Sequence, residues 1–336
     1  MRLTRRAALK GGAGVLAAGG LAGCTDLGAG SGSGSGVQAS FYLLYDFADQ
    51  IAGGETDVES IVPFGQHGHG WQPSGQVQKE IYQSAAFVYM GEGFQPWADD
   101  VVTNLRADDA GVTIVAARHG IDLLGRNASH GGEEEHGDES SNESEHDESG
   151  DGHDHGDMTG DPHFWLDPMR AKQAVDNIRD GLIEADPDAE AQFREQADAY
   201  KSEIDDLHAT FESRFESADQ SHVLVAGHNA FQYTGARYGF TVHALSGVSP
   251  DEEPSGQAIR EAQATIEEHG IEYVLTPTME SDRAARQLVS ETDASEVLEI
   301  SALSGVKEEW TERGWGYLEV MENVNLPALT KALHAE

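Results

Sequence analysis

Short apolar runs alternate with longer amphipathic stretches along most of the chain. Four runs in the first half predict strands, at residues 39–44, 58–63, 86–90 and 113–116. The stretches between them predict helices at 45–52, 76–84 and 97–106. The second half repeats the pattern, with strands predicted at 222–226, 240–245, 273–276 and 295–300 and helices at 230–238, 254–269 and 282–292. Strands separated by helices in this way are typical of βα units, so we predict an α/β fold with parallel sheets.

One long helix is predicted between the two halves. Residues 188–216 contain no Gly or Pro and carry seven apolar residues at helical spacing: Phe193, Ala197, Tyr200, Ile204, Leu207, Phe211 and Phe215. At 1.5 Å per residue such a helix is about 40 Å long, roughly the height of a domain. The sequence therefore predicts an N-terminal lobe at 37–187, a single rigid linker helix at 188–217 and a C-terminal lobe at 218–336.

Charge and hydropathy exclude two functional classes. The 336 residues include 60 acids and 21 bases, for a net charge of −39. Such a chain repels phosphate over most of its surface, which argues against nucleic-acid binding. The apolar content is 38%, and no run of about 20 apolar residues is present, which argues against a polytopic membrane protein.

The acids are spread over every segment, so their mutual repulsion affects the whole fold. At 1 M salt the Debye length falls to about 3 Å, and the repulsion is largely screened. We therefore expect a protein from a high-salt environment. The alternative is an ordinary acidic protein.

The first 24 residues have the pattern of an export signal. Arg5 and Arg6 form a twin-arginine pair ahead of a weakly apolar run that ends in Leu21-Ala22-Gly23-Cys24, which resembles a lipobox. The pattern predicts twin-arginine export, lipidation at Cys24 and a flexible Gly/Ser tether at 25–36. The protein is then held at the cell surface, on the outer face of the cytoplasmic membrane. An unprocessed N-terminus with an incidental cysteine is the alternative.

Three histidines lie in loops that follow predicted strands or lead into predicted helices: His69, His163 and His228. In open α/β sheets, ligands bind at the carboxyl edge of the strands. Three imidazoles converging there suit Zn²⁺, with water or a carboxylate in a fourth position. A lone loop histidine is more often a surface or capping residue, and that interpretation remains open for each of the three.

A second histidine group lies in an acidic, almost apolar-free insertion at 129–160. Its members are His130, His136, His146, His153 and His155. This composition cannot fold by burial of apolar surface. It predicts either a solvated insertion suited to high salt or a loop that collects metal loosely near the ordered site.

Together these motifs resemble the zinc-type, metal-specific substrate-binding lipoproteins of ABC importers. The matching stretches, in family order, are 41–47, 62–73, 161–168, 227–231, 237–240 and 249–255. With the acidic bias, the resemblance indicates a haloarchaeal member. It implies two α/β lobes joined by a rigid helix, with the metal in the cleft between them and His69, His163 and His228 as ligands. It also implies capture of Zn²⁺ for a permease driven by an ATPase, a monomer, and no enzymatic activity.

Some positions depart from the family pattern. Gly70 and Gln72 stand where an acid is frequent, and His67 is a possible accessory ligand. Manganese members supply a late carboxylate, but residues 299–305 lack an Asp, which favours zinc with water, Glu280 or a loop residue as fourth ligand. Manganese or another divalent metal remains an alternative, as do an adhesin and a metal sensor on the same scaffold. A three-His zinc hydrolase is disfavoured because no His-Glu-x-x-His pairing is present.

Overall fold

A computed structural model of the chain describes residues 35–66, 71–125, 160–249 and 254–335. Its first sheet has the order β2-β1-β3-β4, and every neighbouring pair is parallel. The strands are β1 (Val37–Ala39), β2 (Val58–Ser60), β3 (Ala86–Tyr89) and β4 (Thr113–Ala116). The helices of this half are α1 (Tyr42–Ala52), α2 (Gly75–Tyr82), α3 (Pro96–Ala107) and α4 (Pro168–Ala185).

The second sheet repeats this arrangement with the order β6-β5-β7-β8, again entirely parallel. Its strands are β5 (His222–His228), β6 (Thr241–Ser246), β7 (Tyr273–Pro277) and β8 (Glu296–Ile300). Between them lie α6 (Gln232–Tyr238), α7 (Gly256–His269) and α8 (Arg283–Glu291). The protein thus has two α/β lobes with parallel sheets flanked by helices, as predicted.

The long helix between the sheets is α5 (Glu190–Phe215), within the predicted range. All seven apolar residues named above are buried along it. The C-terminal helices are α9 (Glu308–Glu312), α10 (Tyr317–Val320) and α11 (Leu326–Ala332), with a π-helical turn at Met321–Asn325. Helix α5 packs against α1 and α4 of the first half and against two of the helices near the C-terminus, α10 and α11. Among the described helices, none combines the length and apolarity needed to cross a membrane.

The strand predicted at 39–44 is wrong except at Ala39, because the observed strand covers Val37–Ala39. The strand ends at Ala39, and α1 begins at Tyr42. Leu43, Leu44 and Phe47 are all fully buried on α1, at spacings that fit a helix better than a strand. The apolar run therefore belongs to two elements, because the core surrounds the start of the helix.

A buried carboxylate joins α1 to both α5 and the C-terminal segment. Asp46 Oδ2 accepts hydrogen bonds from the Tyr317 amide, at 2.9 Å, and from the Tyr200 hydroxyl, at 3.2 Å. Nearby, the Tyr42 hydroxyl donates to the Trp315 carbonyl at 2.6 Å. Burial raises the pKa of Asp46 to about 6, although the Tyr317 amide acts in the opposite direction.

We expect Asp46→Asn to flatten the pH dependence of stability between about pH 4 and pH 6. Because an unfolded Asp has a pKa near 3.9, native Asp46 binds more protons than the unfolded chain in this window. The parent therefore loses roughly 1–3 kcal/mol of unfolding free energy from this group as pH rises through the window, and the amide does not. Denaturant unfolding of both proteins at fixed high salt, at pH 4.5 and pH 7, measures the difference. Equal pH slopes would contradict the assignment.

Candidate metal centre

His163 lies in a rigid segment just ahead of α4. The segment forms a 3₁₀ turn at Phe164–Leu166, and Asp167 then caps α4 by accepting a hydrogen bond from the Met169 amide at 3.0 Å. His163 and Asp161 are both fully buried. The Asp161 Oδ1 atom lies 2.8 Å from His163 Nδ1 and also accepts from the His163 amide at 2.9 Å. Asp161 therefore fixes both the backbone and the ring of His163.

His228 is the last residue of β5, where the register of the β5–β6 pair shifts. It is 1% exposed, and its Nδ1 forms a short contact with Glu280 Oε1, from the turn after β7. A Cβ atom at Gly227 would lie 2.5 Å from Glu280 Oε2 and 2.7 Å from the Pro277 ring. Only glycine at position 227 therefore admits the carboxylate beside His228.

The two imidazoles face each other through their remaining nitrogens, with His163 Nε2 3.3 Å from His228 Nε2. An ionised carboxylate only accepts hydrogen bonds, so the proton of each ring lies on Nδ1. Two Nε2 lone pairs then point at one another, an arrangement that is unfavourable without a cation between them. Two nitrogens of a tetrahedral Zn²⁺ site, each 2.0–2.1 Å from the metal, lie about 3.3 Å apart. The pair has the spacing of a preformed metal site.

Burial also disfavours the protonated form of His163. It lowers the pKa of His163, while the charge of Asp161 acts in the opposite direction and only partly offsets it. A proton is therefore a poor bridge between the rings near neutral pH, and a divalent cation is a better one. Carboxylates that orient metal-bound imidazoles through Nδ1 are a recurrent feature of zinc sites.

The C-terminal lobe holds the His163 segment in place. The Tyr233 hydroxyl donates to the Asp161 carbonyl at 2.6 Å, and Thr234 Oγ1 donates to the Leu166 carbonyl at 2.9 Å. From the other side, Trp165 Nε1 donates to the Ala302 carbonyl at 2.8 Å. Both rings of the pair are thus positioned by elements of the same lobe, although His163 belongs to the first half of the chain.

Asp167 adds a charged link between the halves. Its two carboxylate oxygens accept from Arg237 Nε at 2.8 Å and Arg237 Nη2 at 2.7 Å, in a fork-like pairing. Arg170 Nη1 donates to the same carboxylate at 2.7 Å. Asp167 is buried and lies four residues after His163, so this pair helps to fix the distance between the two imidazoles.

A small cavity lies beside His228 and Glu280, lined also by residues 277–279 and 301–305. Residues 301–305 belong to the stretch 299–305 that lacks an Asp. This stretch therefore borders the site, where it supplies Ser301 and Ser304. A Cβ atom at Gly305 would lie 3.0 Å from the Gln66 carbonyl oxygen. Gln66 directly precedes His67, so the chain arrives at this cavity just before the predicted histidine loop.

The other predicted site residues lie outside the described residues. They are His67, His69, the insertion histidines His130, His136, His146, His153 and His155, and Cys24. Of the predicted ligands, the structure brings together His163 and His228, and it places the candidate Glu280 against the Nδ1 side of His228. Sequence reasoning gave no role to Asp161, although its position two residues before His163 was a usable signal.

Comparison with known proteins identifies the family. The family described as zinc-uptake complex component A, periplasmic, matches residues 37–332. The chain belongs to this family. Its members are binding proteins of metal transport and not enzymes, so the prediction that the chain is not an enzyme is confirmed.

Individual relatives cover most of the chain. It is 31% identical over 298 residues to the high-affinity zinc uptake system protein ZnuA of Bacillus subtilis, covering 88% of this chain and 87% of that protein. It is 32% identical over 300 residues to the zinc-binding lipoprotein AdcA of Streptococcus pneumoniae, covering 89% of this chain but 56% of AdcA.

A solved structure supports the architecture. The crystal structure of the Zn(II)-bound ZnuA-like domain of Streptococcus pneumoniae AdcA superposes with a TM-score of 0.71 at 27% identity, covering 89% of this chain and 99% of that one. The predicted two-lobed α/β fold is thereby confirmed.

Proposed function

We propose that the protein captures Zn²⁺ outside the cytoplasm and delivers it to an ABC permease driven by a cytoplasmic ATPase. The observation that carries the proposal is the pair of buried Nε2 atoms 3.3 Å apart, each on a ring whose Nδ1 contacts a carboxylate. Membership of a zinc-uptake family and likeness to a Zn(II)-bound domain support zinc as the cargo.

His163 and His228 supply two ligands in this proposal, and His69 supplies the third. The closeness of Gln66 to Gly305 supports His69, because Gly305 lines the cavity beside His228 and His69 lies three residues after Gln66. His67 is an accessory candidate in the same loop. Glu280 contacts Nδ1 of His228, which favours an orienting role and leaves the fourth position to water.

Zinc fits this donor set better than manganese. Neutral imidazole nitrogens suit Zn²⁺, whereas Mn²⁺ favours carboxylate, carbonyl and water oxygens. The described residues that line the cavity from β8 onward are 301–305, and none of them is acidic. Manganese binding on the same scaffold is the second candidate. It requires the Glu280 carboxylate, which here contacts His228 Nδ1, to turn and coordinate the metal directly.

We further propose that capture takes place at a membrane surface. In our proposal the chain is exported by the twin-arginine route, lipidated at Cys24 and tethered by residues 25–36, and it acts as a monomer beside its permease. The net charge of −39 supports a high-salt, haloarchaeal setting. The histidines of the 129–160 insertion collect metal loosely and pass it to the buried site.

Zinc uptake tests the proposal. In a strain that lacks this gene, the parent chain should restore ⁶⁵Zn²⁺ uptake at limiting zinc, and the double variant His163→Ala/His228→Ala should not. His119→Ala, at an exposed histidine, is the matched control. Deletion of residues 131–157 should leave uptake at saturating zinc intact and reduce it only when zinc is scarce. Normal uptake without the gene, or full rescue by the double variant, would overturn the proposal.

A further inference from the structure

A second histidine cluster lies on the C-terminal lobe, away from the metal centre. His222, His243 and His269 each offer a ring nitrogen, and these nitrogens all lie within 4.8 Å of one another. We call these residues the tri-histidine cluster. His222 Nδ1 is 3.0 Å from His243 Nε2, and the ring of His269 stacks on that of His222 with 3.8 Å between centroids and 7° between planes.

The fold brings the three residues together from distant parts of the sequence. Strands β5 and β6 pair so that His222 lies opposite Thr241, and His243 follows Thr241 by two residues on the same face. His269 is the last residue of α7, which ends at Gly270 in the left-handed conformation. The cluster therefore depends on one strand pair and one helix end.

The side chain of Gln220 links the end of α7 to the start of β5 through hydrogen bonds. Gln220 Nε2 donates to the His269 carbonyl at 2.9 Å, while its Oε1 accepts from the amides of Ser221 at 2.8 Å and His222 at 2.9 Å. The backbones that carry His222 and His269 are consequently fixed, and their rings meet at a constant place on the surface.

We propose that the tri-histidine cluster is a second binding site for a divalent transition-metal ion that prefers imidazole, with Zn²⁺ as the probe. Three imidazole nitrogens supply the donor set of an open zinc site, and water can complete the coordination because all three residues are partly exposed. To hold a tetrahedral metal, the 3.0 Å contact opens to about 3.3 Å, and the stacked ring of His269 rotates about its side-chain torsions so that its nitrogen lone pair points at the same ion.

The charge state of the cluster agrees with this chemistry. Burial lowers the pKa of His222 and of His243, and the neighbouring histidines lower them further, whereas Glu268 raises both. The lowered pKa values favour the neutral form of His222 and His243, the form that binds metal. In the structure, the ring of His269 stacks on that of His222, and His222 Nδ1 lies 3.0 Å from His243 Nε2.

The cluster and the metal centre are separate sites on one strand. His222 begins β5 and His228 ends it, and six residues at about 3.3 Å each place them roughly 20 Å apart. No ion can contact both. The tri-histidine cluster is partly exposed, whereas His163 and His228 are fully buried. We therefore expect the cluster to bind Zn²⁺ at least tenfold more weakly than the metal centre does.

The test uses the full mature chain at high salt, with Zn²⁺ titrated against a chromophoric chelator. His243→Gln should lose one weak equivalent of Zn²⁺ and keep the tight one, and His228→Gln should do the reverse. His119→Gln, outside both sites, should retain all equivalents. His269→Gln provides a second removal of the cluster that leaves the β5–β6 pairing untouched, in case His243→Gln does not fold.

A site-resolved readout separates the cluster from the insertion histidines. Hydrogen exchange followed by mass spectrometry should show added protection in peptides covering 222–243 as the weak equivalents fill, in the parent and in His228→Gln. The protection should vanish in His243→Gln or His269→Gln. Unchanged stoichiometry in both cluster variants, or no added protection in the parent, would overturn the proposal and leave a stacked histidine cluster without a metal. This test does not depend on the proposed transport function. If that function were wrong, the uptake assay would fail, but His228→Gln would still show the weak equivalent and the added protection.

Discussion

His163→Ala is expected to weaken Zn²⁺ binding by about 100- to 1000-fold, and His228→Ala should do the same. A structural zinc site of four ligands is worth roughly 10–16 kcal/mol, so each ligand contributes on the order of 2.5–4 kcal/mol. In this chain the loss is compounded, because each variant also leaves the carboxylate of Asp161 or Glu280 in a buried or half-buried position without its imidazole. Competition titration with a chelator of known affinity measures the change.

The same titration distinguishes a ligand from an orienting residue. Glu280→Gln keeps the size of the side chain and can still contact His228 Nδ1, so we expect only a 10- to 100-fold loss. A loss as large as that of His163→Ala would instead make Glu280 a direct ligand. His119→Ala should bind as the parent does, and unchanged affinity in both histidine variants would contradict the assignment of the site.

Arg237→Met is expected to lower the free energy of unfolding by about 2–4 kcal/mol. Removal of the guanidinium leaves the Asp167 carboxylate buried, at 1% side-chain exposure, with only Arg170 to balance its charge. Arg237 is itself 34% exposed, so water screens part of the interaction, and we place the effect below the 3–5 kcal/mol found for fully buried pairs. Denaturant unfolding at fixed salt measures it.

An exposed ion pair provides the control. Arg194 and Glu190, on α5, form an i,i+4 pair in which both side chains are about half exposed, and Arg194→Ala should cost less than 1 kcal/mol. Arg237→Met should also weaken Zn²⁺ binding by about tenfold, since Asp167 lies four residues from His163. Equal stability of the Arg237 and Arg194 variants would show that the Asp167 pair does not hold the halves together.

The fold could be predicted well because its signals are local. The apolar runs of β3, β4 and β5 are bounded by polar turns, and the stripe along α5 repeats over seven residues. The prediction failed at 39–44, where the apolar positions of a strand and a buried helix run together without a polar break. Tertiary burial decides that boundary, and periodicity over six residues cannot.

The metal site could be predicted only in part. His163 and His228 stand out because each follows or precedes an element whose pattern is clear, but the spacing does not show which atoms meet. Glu280 lies 52 residues beyond His228, and only the β5–β7 pairing brings its carboxylate there. The tri-histidine cluster escaped sequence reasoning for the same reason, since His222 and His243 sit in ordinary strand positions and meet through register.

The link between Trp165 and Ala302, with the hydrogen bonds from Tyr233 and Thr234, has a kinetic consequence. Because His163 and His228 are both buried, zinc reaches or leaves their nitrogens only when these contacts open, so one opening step limits both capture and release. Residence time is then governed by how often these contacts open. A variant that loosens them, such as Trp165→Phe, should therefore both capture and release zinc faster than the parent does.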